Sequence, residues 1–236
     1  MRKRTRTVIW KAAAVLAAVV TVSACSGSPH VRSITLTFIR HAQSQSNAEH
    51  VINTDIPGPD LTEEGQGQAQ QLAHQLSRNN FDGVYASNML RAQQTAAPLA
   101  RALGKHVEIL PGLREINAGW YNDTPAKRAD LTYLLAPAGW LNGDLQEAIP
   151  GSISGQEFNE QFSAAVQKIY DSGNSKPVAF SHGESIMYWT LMNVKNPKDS
   201  LATKHPLPDL GRVVITGSPT MGWTLLDWDG IKDFSY

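Results

Sequence analysis

The sequence predicts an α/β fold: a three-layer sandwich with a mostly parallel central sheet, closed at one edge by an antiparallel C-terminal hairpin. Three observations carry this. Short apolar runs alternate with longer stretches of helical period, as in successive βαβ units. The last two apolar runs are separated only by Gly217-Ser218-Pro219-Thr220-Met221-Gly222, a turn-like connection. Residues 116–155 break the alternation with Gly, Pro, Asn and Ala around Trp120 and Trp140, as a cap inserted over the sheet would.

The elements follow in order. A first strand is expected over residues 34–39. Residues 62–78 read as a helix because Ala69, Leu72, Ala73 and Leu76 recur at i, i+3, i+4 and i+7. Thr62 suits its N-cap, and Glu63 and Glu64 suit the positive end of its dipole. A second strand spans 83–86, after which Ser87 is expected to cap a helix from residue 88 to about 103 that Gly104 ends. The third strand is expected over 107–110. Residues 156–170 place Phe158, Phe162, Val166 and Ile169 along one stripe of a helix. A fourth strand covers 177–181, and strands 212–216 and 223–227 form the closing hairpin. Its exposed edge offers a surface for a homodimer. There is no internal repeat.

The 236 residues suit one domain, residues 33–236, preceded by a segment of a different kind. Residues 1–24 join a basic start (Arg2, Lys3, Arg4, Arg6, Lys11) to the apolar stretch Ala12 to Ala24. That is the pattern of a secretory signal and is well short of the roughly 20 apolar residues of a membrane span. The lone cysteine, Cys25, follows Val22-Ser23-Ala24, which resembles a bacterial lipobox with Val in place of the usual Leu. Cys25 is therefore expected to carry a lipid that anchors the exported domain at the outer face of the cell membrane, with residues 25–32 as tether. One cysteine allows no intrachain disulfide.

Removal of residues 1–24 leaves 16 basic against 21 acidic residues, a formal net charge of −5. A domain of that sign argues against nucleic acid as its partner.

Ligands of open α/β sheets bind beyond the carboxyl ends of the strands. Arg40 and His41 follow the first strand, Arg91 lies one helical turn past the second, Glu115 follows the third and His182 directly follows the fourth. Two arginines, two histidines and one carboxylate suit a dianionic phosphate and a proton donor. No His-Glu-x-x-His or other dense ligand spacing points to a metal, and no cofactor is implied. His50, His74, His106 and His205 are expected to be surface or local structural residues.

Five segments in order resemble the histidine phosphatase (phosphoglycerate-mutase-like) superfamily. Arg40-His41-Ala42-Gln43-Ser44 with Asn47 resembles its Arg-His-Gly signature, with Ala42 in the place of the glycine. Leu61-Thr62-Glu63-Glu64-Gly65 with Gln68-Ala69, and Ser87-Asn88-Met89-Leu90-Arg91-Ala92-Gln93-Gln94-Thr95-Ala96, are similar to its two helix-opening motifs. Leu113-Arg114-Glu115 with Gly119-Trp120 resembles its acid-bearing loop, and Ser181-His182-Gly183 its second histidine motif. The resemblance implies a metal-independent phosphomonoesterase acting on a small phosphorylated substrate. His41 would form a phosphohistidine, and Arg40, Asn47, Arg91 and His182 would hold the phosphate. Glu115 would be the proton donor, sheltered from water by Trp120 and the cap. Two alternatives stand beside it: a phosphoglycerate-type mutase, and an inert envelope lipoprotein that binds a phosphorylated ligand. Ala42 is compatible with the signature if its φ stays negative.

Overall fold

The structure, a computed structural model, describes residues 31–234. The expected signal segment and the candidate lipidation site Cys25 lie outside the described residues. Within them no helix is long and apolar enough to cross a membrane.

In chain order the elements are β1 (Ile34–Arg40), α1 (Gln45–Ala48), α2 (Glu63–Leu76), β2 (Gly83–Ala86), α3 (Leu90–Ala102) and β3 (Val107–Ile109). Next come 3-10 turns at Pro111–Leu113, Gly119–Tyr121 and Ala126–Leu131, followed by α4 (Leu135–Leu141), α5 (Gly155–Asp171) and β4 (Pro177–Ser181). The chain closes with α6 (Gly183–Asn193), α7 (Ser200–Lys204), β5 (Arg212–Ser218) and β6 (Gly222–Trp228). The six strands form one sheet in the order β3-β2-β4-β1-β5-β6. The first four run parallel, while β5 pairs antiparallel with both β1 and β6.

Both faces of the sheet are covered because its central strands are apolar on both sides. Phe38 and Ile39 are neighbours in sequence yet belong to different apolar clusters, as a period of two requires. On one face Ile39, Val178 and Phe180 meet Leu72 and Leu76 of α2 and Ala96 and Leu99 of α3. On the other, Phe38 meets Phe162 of α5 and Trp189 of α6, with ring centroids 5.6 and 5.7 Å away. Truncating a ring buried this completely costs about 3–5 kcal/mol.

Local signals explain most element ends. The Thr62 side chain accepts from the Gly65 N–H and caps α2. After α3, the N–H of Gly104 reaches the carbonyl of Arg101 and that of Lys105 the carbonyl of Ala100, the paired bonds of a Schellman stop. The start of α3 differs from expectation. It begins at Leu90, behind Met89, and Ser87 is not its cap. The hydroxyl of Ser87 is engaged elsewhere, as described below. Helix α6 carries no sequence signal of a helix because Ile186, Met187, Tyr188, Trp189 and Leu191 are all buried, so no polar face alternates with an apolar one.

The segment 116–155 divides its tryptophans. Trp140 is buried and stacks on Phe158 at 5.5 Å, whereas Trp120 is 80% exposed. Trp120 therefore does not shelter the candidate acid. That part of the reading is corrected: the Trp120 side chain is exposed on its 3-10 turn, whereas Tyr133 of the same segment is buried.

Candidate active site

Sheet register brings the candidates together. Arg40 of β1 lies opposite Ser181 of β4, so His41 and His182 leave adjacent parallel strands at the same level. Their ring centroids are 5.1 Å apart. Next to β4, Ala86 is opposite Phe180, which brings Ser87 alongside.

His41 is 3% exposed and has a defined hydrogen-bond polarity. Its Nδ1 is 2.7 Å from the carbonyl of Ala42, an acceptor only, so Nδ1 carries the proton. Its Nε2 accepts from Arg91 Nε at 3.0 Å and therefore presents a lone pair. Burial first, then the positive charges of Arg91 and Arg40, push the imidazole well below its ordinary value and hold it neutral.

Arg91 is 3% exposed and makes no ion pair among the described residues. Its Nη2 donates to the Asn53 carbonyl at 3.2 Å, while its Nη1 has no partner. Burial lowers this guanidinium to about 10. An unpaired buried cation costs several kcal/mol, which an anion bound beside it would offset.

His182 is fully buried. Its Nε2 is 2.7 Å from Ser87 Oγ, which also accepts from the Met89 N–H at 3.1 Å. The hydroxyl is thus free to donate to Nε2, placing the ring proton on Nδ1, and Nδ1 has no partner. Ser87 props the second histidine instead of capping α3. Burial, and then the nearby Arg91, push His182 well below its usual value. Arg40 is tied down by the Leu207 carbonyl, 2.5 Å from its Nη1, and by Asp209, 3.3 Å from its Nη2, while its Nε has no partner. Gly183 lets α6 start against this guanidinium, since a Cβ there would stand 3.3 Å from Arg40 Cδ.

Asn47 forms a capping box with Ser44: its Oδ1 accepts from the Ser44 N–H at 3.1 Å and the Ser44 hydroxyl at 2.8 Å. With the amide oxygen used, Nδ2 remains as a donor at the cavity wall. The loop between β1 and α1 is clamped by the start of α2. The Gln43 N–H donates to Gln68 Oε1 at 3.0 Å, and the Thr62 N–H donates to the Gln43 carbonyl at 3.1 Å. Gly65 permits the approach, because a Cβ there would lie 2.0 Å from that carbonyl oxygen. Ala42 is absent from the described residues with positive φ, and its methyl group packs with Leu61 and Ala69. Its N–H donates to Thr95 Oγ1 at 3.0 Å, so the alanine fits this backbone without strain.

Glu115 faces the same cavity of about 430 Å³ as Arg40, His41, Asn47 and Arg91. Its Oε1 accepts from the N–H groups of Ile116 (3.0 Å) and Ser185 (2.9 Å) and lies 2.8 Å from Ser185 Oγ. Ser185 Oγ is also 2.8 Å from the Arg114 carbonyl. One hydroxyl proton can serve only one of these acceptors at a time. The two N–H groups fix Oε1 as an acceptor, so Ser185 donates either to it or to Arg114 and a proton on Glu115 sits on Oε2. This arrangement accommodates both states of a group that passes a proton. Asp123, the next acid along the chain, is exposed and takes the Asn53 amide at 3.1 Å.

Sequence reasoning missed the outer half of the cavity. Asp130, Tyr133 and Leu134 line it from the segment after the 3-10 turns, and Glu184, Met187 and Tyr188 line it from α6. Glu184 lies next to a recognised motif, but its spacing alone gave no reason to turn it inward. Among the described residues no group of three or more His, Cys, Asp or Glu is arranged to hold a metal ion.

Residues 36–229 match the Histidine phosphatase superfamily (branch 1). Over 216 residues, 85% of its length, the chain is 44% identical to a PE-PGRS family protein of Mycobacterium tuberculosis, and it spans only 37% of that relative. It is 31% identical over 154 residues to a probable phosphoglycerate mutase of Cronobacter sakazakii, with 63% of this chain and 69% of the relative covered. Among solved structures, a mycobacterial glucosyl-3-phosphoglycerate phosphatase superposes with a TM-score of 0.70 at 20% identity, over 85% of this chain and all of the other. A phosphoserine phosphatase from Entamoeba histolytica superposes with a TM-score of 0.66 at 21% identity, over 84% of this chain and all of the other. At these identities the structural likeness concerns the fold.

Proposed function

The chain belongs to the histidine phosphatase superfamily, and from that premise we propose that it is a phosphomonoesterase working through a phosphohistidine on His41, with Glu115 as proton donor. The observation that carries this reading is the unpaired, buried Arg91 guanidinium hydrogen-bonded to the bare Nε2 of a neutral histidine. That pairing suits a site that binds an anion.

The steps follow from the groups present. A phosphate monoester enters, and its oxygens take up the free donors of Arg91 Nη1, Arg40 Nε, His182 Nδ1 and Asn47 Nδ2. A phosphate oxygen replaces His41 as the partner of Arg91 Nε, which frees the Nε2 lone pair to attack phosphorus. The P–O bond to the alcohol breaks as the N–P bond forms. Glu115 gives its proton to the departing alkoxide, which leaves as the neutral alcohol. A water then attacks phosphorus, loses a proton to Glu115 and breaks the N–P bond, releasing inorganic phosphate and restoring both residues. The donors act mainly by holding the charge of the transferring group in a fixed field.

Rapid quenching during turnover tests the reading. Acid-labile, alkali-stable phosphate is expected on His41 and not on a His41→Ala chain. Turnover without it would remove His41 as nucleophile. The mutase alternative predicts interconversion of 2- and 3-phosphoglycerate faster than phosphate release. The inert alternative predicts vanadate binding without turnover of any ester. We also propose that Cys25 carries the lipid anchor; Cys25→Ser should then move the chain from the membrane fraction to the soluble one.

A further inference from the structure

The cavity is polarised along its length. All cationic side chains on its wall, Arg40 and Arg91, stand at the phosphate end with His41 and Asn47. The wall also includes residues of the segment 126–134, of α6 and of α7 with Pro206, and the acids among them are Glu184 and the exposed Asp130. No lysine, arginine or histidine is among them. Glu184 stands at the junction, where it senses Glu115 and Arg40 on one side and Asp130 on the other. Asp130 and Glu184 both act in turn on Tyr188. The wall also includes the 3% exposed Arg91, the cation that a phosphate bound there would meet. A ligand that satisfies Arg91 with its phosphate must lay its alcohol portion along the carboxylate-bearing wall.

We propose that this pocket selects phosphomonoesters whose alcohol carries a protonated amine and rejects those whose alcohol carries a carboxylate or a second phosphate, with Asp130 and Glu184 as the specificity-determining residues. The proposal rests on the phosphomonoesterase reading of the same site. A carboxylate on the alcohol would be repelled by Asp130 and would keep the proton on Glu184. An ammonium group would find two carboxyl groups and the hydroxyl of Tyr188. Burial and the neighbouring Glu115 raise Glu184 to about 8, so at neutral pH it holds a proton that a bound ammonium group would displace. Discrimination of this kind combines attraction for one charge with repulsion of the other.

Three esters of similar size decide the matter: phosphoethanolamine, glycerol 3-phosphate and 3-phosphoglycerate. On the lipid-free chain, kcat/KM should fall in that order, with at least about a tenfold step between the cationic and the anionic ester. Asp130→Asn should flatten the order by raising KM for phosphoethanolamine and lowering it for 3-phosphoglycerate, and Glu184→Gln should flatten it by raising KM for phosphoethanolamine. Calorimetry of the same esters on the His41→Ala chain reads the order without turnover. If affinities keep the order while no wild-type turnover occurs, the phosphatase reading fails and the selectivity stands. Equal or reversed affinities overturn the selectivity, and an order that neither substitution moves overturns its assignment to Asp130 and Glu184.

Discussion

The Nε of Arg91 donates to the Nε2 of His41 across 3.0 Å, so one buried guanidinium both holds the histidine neutral and covers the lone pair it presents. Its burial without an ion pair is unfavourable for the fold and useful for the site, which makes function and stability separable at this residue. Arg91→Met should cut kcat/KM by at least about 10²–10³. The same change should raise the midpoint of thermal unfolding, since a buried unpaired charge is replaced by an apolar side chain of similar length. Arg91→Lys keeps the charge without the planar fork and should recover little activity. Scanning calorimetry beside steady-state kinetics checks all three, and a lower midpoint for Arg91→Met would contradict this account.

The two buried histidines make stability depend on pH in a defined direction. Both are pushed below the ordinary value of 6.5, so below that pH the unfolded chain binds protons that the folded chain refuses. Stability is therefore highest above 6.5 and falls as pH drops, by up to about 1.4 kcal/mol per pH unit for each histidine, until the folded-state values are reached. Denaturant midpoints between pH 7.5 and 5 should show a shallower loss for His182→Asn than for the wild-type chain. Identical slopes would show that His182 does not titrate differently on folding.

Ser185 holds Glu115 through both its N–H and its hydroxyl, and only the hydroxyl can be removed by substitution. Ser185→Ala should lower kcat about tenfold on alkyl phosphates, whose alkoxide needs a proton to leave. On p-nitrophenyl phosphate, whose leaving group needs none, the loss should be less than about twofold. Equal losses on both substrates would mean that Ser185 supports the fold and not the proton transfer.

Gly65 is the point where α2 touches the loop bearing His41. A methyl group there would meet the Gln43 carbonyl at 2.0 Å, so backbone must move. Gly65→Ala should destabilise the protein by about 1–3 kcal/mol and lower kcat more than it raises KM, because the shifted loop carries the nucleophile. Gly67→Ala on the same helix is the control: a Cβ there meets nothing within 4 Å, and it should leave stability unchanged or slightly raised.

The motif residues were legible because each depends on local chain geometry. A strand that ends in Arg40-His41, a helix capped by Thr62 and a strand that ends at Ser181 can be read within a dozen residues. Ser87 was legible as a helix-start residue but not as the support of His182, which is 95 positions away. Trp120 was legible as part of a cap, while its 80% exposure depends on how that cap folds. Glu184 and Asp130 carried no signal, since an acid near a motif is usually solvated, and only packing turns these two toward one cavity.

By itself the sequence determined the layers and the strands and helices with amphipathic or capped ends, and it singled out Arg40, His41, Arg91, Glu115 and His182 at strand ends, with Asn47 added by the family resemblance. Periodicity, caps and strand-end chemistry act over a few residues and survive in any fold that uses them. The tertiary structure alone decided that β1 and β4 pair with Arg40 opposite Ser181, that Arg91 is buried against the lone pair of His41, and that the far wall of the pocket is acidic. These are distances between residues up to 141 positions apart in the case of Arg40 and Ser181. Sheet register and side-chain packing set them, and neither leaves a local trace in the chain.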